Sequence, residues 1–143
     1  MEKQVASADI TINAPVETVW HAITNSEIAL MPGTVVKSDW EPGDPITFEG
    51  EFNGKHFKDY GEILDKTEGQ SVSFSHWSKT PKRPEDYHIV RYELEDEGDA
   101  THVSLTQTNV GEHPDIDAKT KAEFEKNWDM MLKHLKKASE AGG

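Results

Sequence analysis

The chain has 143 residues, with 27 Asp plus Glu against 15 Lys plus Arg and a formal charge of −12. A surface so acidic repels phosphate backbones, which argues against nucleic acid as a partner. With no cysteine, neither a disulfide framework nor a thiolate metal site is available, and a chain of this length buries enough surface to need no such staple. We read residues 1–143 as one domain. The opening Met1-Glu2-Lys3-Gln4 lacks the basic and apolar regions of an export signal, and no run of about 18 apolar residues follows. The expectation is a cytoplasmic protein without stable membrane insertion.

Val5 to Ile12 alternates and predicts a strand with Ile10 and Ile12 on one face. It ends at Asn13-Ala14-Pro15. Proline at a first helical position, Glu17 in the first turn, and Val16, Val19, Trp20 and Ile23 at helical spacing predict a helix from about Pro15 to Thr24. Asn25-Ser26 can cap a second short helix through Leu30, ended by Pro32-Gly33. From Thr34 to Asn109 the period falls to two, with turn signals at Pro42-Gly43, Asn53-Gly54, Glu68-Gly69, Pro81 to Pro84, and Glu97-Gly98. Six strands in an antiparallel meander follow. From about Asp115 to Ser139, Phe124, Trp128, Met131 and Leu135 form one apolar stripe of a long amphipathic helix. A sheet this long must bury a face, and only that last helix is long enough to cover it. The expected architecture is therefore α+β, a curved seven-stranded antiparallel sheet wrapped around the C-terminal helix, with two short helices between strands one and two.

Four segments carry a resemblance: Asn13-Ala14-Pro15-Val16-Glu17-Thr18-Val19-Trp20-His21-Ala22-Ile23-Thr24, Trp40-Glu41-Pro42-Gly43-Asp44-Pro45-Ile46, Gly61-Glu62-Ile63-Leu64-Asp65 and Asn127-Trp128-Asp129-Met130-Met131-Leu132. They are similar to the heat-shock protein 90 ATPase activator-like family of the START-like, or SRPBCC, superfamily, over nearly the whole chain. The resemblance implies a helix-grip fold, used elsewhere for lipid transfer, hydrophobic ligand binding, polyketide cyclisation and co-chaperone work. It implies no shared catalytic set. The chain departs from many relatives at Leu30-Met31, where they have an aromatic pair. It also lacks the second domain of the eukaryotic activators, which weakens a chaperone partner.

Alternation assigns one inward face: Ile46, Phe48, Gly50 and Phe52; Phe57, Asp59, Gly61 and Ile63; Val72, Phe74 and His76; His88, Val90, Tyr92 and Leu94; Val103, Leu105, Gln107 and Asn109. A hairpin centred on Glu97-Gly98 pairs Tyr92 with Val103, Val90 with Leu105 and His88 with Gln107. His76, His88 and Gln107 then form a polar row, with Asp59 nearby, at the end of an apolar face. An apolar cavity ending in a few polar groups is the usual form of a small-molecule site. The expected ligand contacts are Phe48, Phe57, Asp59, Phe74, His76, His88, Val90, Tyr92, Gln107 and Met131, the last because a thioether adapts to different ligands.

His76 with Asp59 or His88 could supply a base and its orienting partner. No phosphate-binding loop, HExxH helix or Gly-x-Ser-x-Gly elbow occurs, and neither a metal nor a cofactor is expected. Three functions stay open: a binding protein for a small apolar molecule, lipid- or polyketide-like; a polyketide cyclase-like enzyme using the same cavity; and a co-chaperone-like interaction domain.

Overall fold

The computed structural model describes residues 2–24, 34–52, 54–78, 82–112 and 114–141. Seven strands and two helices run in the order β1 (Glu2–Ile12), α1 (Val16–Thr24), β2 (Thr34–Lys37), β3 (Pro45–Phe52), β4 (Lys55–Thr67), β5 (Ser71–Ser78), β6 (Tyr87–Asp96), β7 (Thr101–Val110) and α2 (Ala118–Ala141). The sheet order is β1-β7-β6-β5-β4-β3-β2, with every neighbouring pair antiparallel. The expected second short helix, Asn25 to Leu30, lies outside the described residues. Helix α1 starts where the Pro15 carbonyl accepts from the N–H groups of Thr18 and Val19. Helix α2 begins three residues later than its stripe suggested, because Asp117 is its cap and accepts from the Thr120 N–H at 2.7 Å.

Phe52 apart, whose side chain lies outside the described residues, the inward faces are those that alternation assigned, but one register is not. Tyr92 lies opposite Leu105, Val90 opposite Gln107 and His88 opposite Asn109, a shift of two residues from expectation. The tight turn is centred on Gly98-Asp99 and closed by Glu97 N–H to the Ala100 carbonyl. Gly98 takes φ +88°, the left-handed conformation that a two-residue hairpin turn demands of its first residue and that glycine adopts without strain. Because the shift is two and not one, no side chain changes face.

Two bulges bend the sheet. One, between Gln4 and Ala6, turns both Val5 and Ala6 inward. The other, between Ile63 and Asp65, follows Gly61, where an added Cβ would stand 1.9 Å from the Ser75 carbonyl oxygen. Only glycine lets β4 come that close to β5 at the bend. On the opposite strand Ser75 answers with its hydroxyl, which accepts from the Glu62 N–H at 3.0 Å.

The core lies between the concave face and the helices: Ile46, Ile63, Val72, Phe74, Val90, Tyr92, Val103 and Leu105 from the sheet, Val19, Trp20 and Ile23 from α1, and Met131, Leu132 and Leu135 from α2. The buried residues of α2 all come from its C-terminal half. Phe124 and Trp128, on the same stripe, are only half-buried. Along the free edge of β1, Ser7 N–H donates to Glu125 at 3.0 Å, Asn13 N–H to Glu140 at 2.9 Å, and Lys136 to the Thr11 carbonyl at 3.1 Å.

Candidate functional site

Alternation on β3 to β7 brings side chains of changing character to one end of the concave face. Phe48 lies opposite Asp59, His76 opposite His88, and His88 opposite Asn109. Asp59 Oδ2 and His76 Nε2 are 3.0 Å apart. The His88 ring stacks on the His76 ring, with centroids 5.0 Å apart and planes 25° apart, and Phe48 meets His76 edge-on at 4.9 Å. Phe48 also touches Phe74, which touches Trp40 and Tyr92. An unbroken line of rings thus leads from the buried core to a polar mouth. Phe48, Phe57, Asp59, His76, His88, Asn109 and Trp128 are all half-buried, whereas Phe74, Val90, Tyr92 and Met131 are buried.

The electrostatics follow from that placement. Burial, aided by the neighbouring His76, pushes His88 down from 6.5 to about 4, so its imidazole is neutral at neutral pH. Burial alone would raise the Asp59 carboxyl, but the hydrogen bond and charge of His76, with Ser78, hold it below the usual carboxylate range. Burial raises the Tyr92 phenol well above its ordinary value, and among the described residues its hydroxyl reaches the Met131 sulfur, at 3.8 Å.

A cleft of about 270 Å³ opens at this end, where the β5–β6 connection leaves the sheet; His76, His88, Trp77, Tyr87 and Asn109 are among its walls. A larger depression of about 420 Å³ beside β2 and β3 is lined by Lys37, Ser38, Asp39, Pro45 and Thr47. It is open to solvent and holds no aromatic ring, so it has less to offer an apolar molecule. Among the described residues no three His, Asp or Glu side chains are placed to hold a metal.

Of the residues expected from the sequence, Phe48, Asp59, His76 and His88 converge at the mouth. Phe57 lies further along β4, opposite Gly50. Phe74, Val90, Tyr92 and Met131 belong to the core beneath it. Gln107 departs from expectation: it sits opposite Val90, one step deeper than His88, and is 1% exposed. Both ends of its amide are engaged, the oxygen accepting from Trp128 Nε1 at 2.8 Å and the nitrogen donating to Asn109 Oδ1 at 3.0 Å. It therefore ties α2 to the sheet. Asn109 takes the place in the row that a turn centred one residue earlier would have given Gln107, and it donates to the Pro114 carbonyl at 3.2 Å.

Trp77 and Tyr87 were not anticipated. Both project from the convex side, where their rings meet edge-on at 6.4 Å and Arg83 covers Tyr87 at 5.1 Å. The available signal was a tryptophan at an outward position of β5, which a solvated face would not carry.

A family model described as activator of Hsp90 ATPase homolog 1-like protein matches residues 13–140. The solution structure of ChR145 from Cytophaga hutchinsonii is 38% identical, covers 99% of this chain and 97% of its own, and superposes with a TM-score of 0.79. CalU16 from Micromonospora echinospora is 21% identical over 93% of this chain and 74% of its own, with a TM-score of 0.67. A START superfamily protein from Mycobacterium smegmatis is 12% identical over 99% and 100%, with a TM-score of 0.75. At the two lower identities the likeness is one of fold. No curated protein matches in sequence.

Proposed function

The chain belongs to the activator of Hsp90 ATPase homolog 1-like family, and from that premise we propose that it encloses a small hydrophobic molecule between the sheet and the N-terminal half of α2, with the polar end at His76 and His88. The observation that carries this reading is the uneven cover given by α2. Its C-terminal half carries the buried Met131, Leu132 and Leu135, while Phe124 and Trp128 of its N-terminal half stay half-buried, as do Phe48 and Phe57 of the sheet. Apolar rings left partly uncovered beside a few polar groups suit a ligand that completes the burial. The matching family and the START superfamily neighbour support the same reading at the level of the fold.

Native mass spectrometry of protein purified from its own host tests it, with displacement of a naphthalene-sulfonate probe as the companion measurement. A retained small molecule, or saturable probe binding abolished by Phe48→Asp in a folded variant, is the expected result. Absence of both overturns the proposal.

A second reading, catalysis on the bound molecule, is favoured by the 3.0 Å Asp59–His76 contact, since a carboxylate orients an imidazole for proton transfer. His76→Gln would then abolish turnover while leaving ligand affinity within about threefold, a loss of under about 1 kcal/mol. Equal loss of both would return His76 to a binding role.

A further inference from the structure

Two unfavourable features meet at Trp40, just after β2. Its backbone takes φ 60°, and among the described residues it is the one residue other than glycine with a positive φ. That is the left-handed region, which a bulky side chain rarely enters. Its surroundings hold it there. Ser38 Oγ accepts from the Trp40 N–H at 3.0 Å, and Asp44 Oδ2 accepts from the Glu41 N–H at 3.2 Å. The turn is clamped to β4 by Gly43 N–H on the Ile63 carbonyl at 2.8 Å and Ile63 N–H on the Asp44 carbonyl at 2.9 Å. A strained residue persists only where its neighbours over-determine it, and such residues gather at ligand clamps.

The indole is the second feature. Trp40 is 7% exposed, and its Nε1–H is buried with no acceptor among the described residues. Trp20 and Trp128, by contrast, donate to Glu68 at 3.0 Å and to Gln107 at 2.8 Å. A phenylalanine would fill hydrocarbon at this position without an orphan donor, whose burial is unfavourable. Position gives the donor a use. Trp40 meets Phe74 edge-on, with centroids 6.2 Å apart, and Phe74 meets the half-buried Phe48 at 5.7 Å. Trp40 thus stands at the inner end of the line of rings whose outer end is the mouth.

We propose, on the reading of the pocket given above, that the Trp40 indole N–H is the inner polar contact of the ligand and that it receives a neutral carbonyl oxygen, so the bound molecule is a ketone, quinone or ester with its C=O leading. Trp40 shares its core cluster with Ile46, Ile63 and Phe74, and in such surroundings one N–H suffices for a carbonyl, which accepts and has nothing to donate. A hydroxyl would bring a donor needing a partner of its own. A carboxylate would bring a charge that a single N–H does not offset.

The test is a nuclear magnetic resonance titration in which the Trp40 indole proton is assigned through its own backbone, so that the wild-type chain alone can decide. The probes share one shape: 2-acetylnaphthalene, 2-isopropylnaphthalene, which lacks the oxygen, and 2-naphthoate. 2-Acetylnaphthalene should move the indole proton downfield and bind about tenfold tighter than 2-isopropylnaphthalene, the ratio typical of one satisfied hydrogen bond, with 2-naphthoate weaker than either. In Trp40→Phe, shown by circular dichroism to be folded, that advantage should disappear. Three results each overturn the role of Trp40: an indole proton that stays in place at saturation, a ketone advantage that survives in Trp40→Phe, or a nuclear Overhauser contact from that proton to a bound water in the saturated complex. 2-Naphthoate binding as tightly as the ketone overturns the carbonyl assignment. All of these leave the pocket standing, whereas failure of all three probes to bind overturns the pocket reading and this inference with it.

Discussion

The two halves of α2 share one apolar stripe and make different use of it. From Met131 onward the stripe is sealed: Leu132 and Leu135 are fully buried against β1, α1 and the apolar part of the concave face. Before Met131, Phe124 and Trp128 stay half-buried, and the described link from Trp128 to the sheet is its indole N–H on Gln107. Helical periodicity specifies which side of a helix turns inward, while the depth to which it sinks depends on what the sheet presents beneath it. Over Ile63, Val72 and Leu105 that is close-packed hydrocarbon. Asp59, His76 and His88, at the other end of the face, are groups whose full burial would cost free energy, and they stay half-buried.

The sharpest way to break this contrast is to truncate one residue from each half. Leu135→Ala, in the sealed half, should cost ~2–5 kcal/mol in urea unfolding, as deletion of buried methyl groups does. Phe124→Ala should cost less than about 1 kcal/mol and yet weaken probe binding several-fold. Similar stability losses at the two positions would show that the halves are packed alike.

Acid offers the next largest effect. The folded pKa of His88 lies near 4 against an ordinary 6.5, so the unfolded chain binds its proton first. The stability of the native state therefore falls as pH drops from about 6.5 to about 4, by at most about 3 kcal/mol from this residue. Asp59 works in the same direction at still lower pH: its depressed pKa contributes stability that is lost as pH falls through the folded value. In His88→Phe the drop between pH 6.5 and 4 should be visibly shallower. An unchanged slope would mean that the mouth is more open to water than its rings suggest.

A smaller effect sharpens the role of Trp128. Trp128→Phe keeps a ring over the mouth but removes the donor to Gln107, whose side chain is almost wholly buried. The cost of leaving that acceptor unsatisfied is ~1–3 kcal/mol, and the double variant with Gln107→Leu should recover part of it. No recovery in the double variant would show that Gln107 does not anchor the helix.

The fold was legible because its signals are long-range in the chain but local in kind. Period-two alternation from Thr34 to Asn109 and one continuous helical stripe leave few other arrangements, and the observed sheet has the expected seven strands. The site was legible only in part. Asp59, His76 and His88 could be assigned to one face, and they meet there. Gln107 could not be placed, since moving a turn from Glu97-Gly98 to Gly98-Asp99 preserves every face while sliding every partner by two. Val5 and Leu64 gave no sign of the bulges beside them, which depend on how β1 and β4 bend and not on their own chemistry. Trp77 was visible in the sequence but pointed away from the face under consideration. The expected starts of α1 and α2 differ from the observed ones by one and three residues, the margin within which side-chain caps such as Asp117 decide.

The side chains of α2 that hold the edge of β1 have a consequence for solubility. An edge strand of this length is a template for pairing with another chain, and here the Ser7 and Asn13 N–H groups and the Thr11 carbonyl along it are occupied by Glu125, Glu140 and Lys136 from the same polypeptide. The helix thus guards against association as well as covering the core. Glu125 reaches Ser7 from the half of α2 that is otherwise the less buried. Light scattering on Glu125→Ala should register the loss of this guard as concentration-dependent growth, while the wild-type chain stays monodisperse.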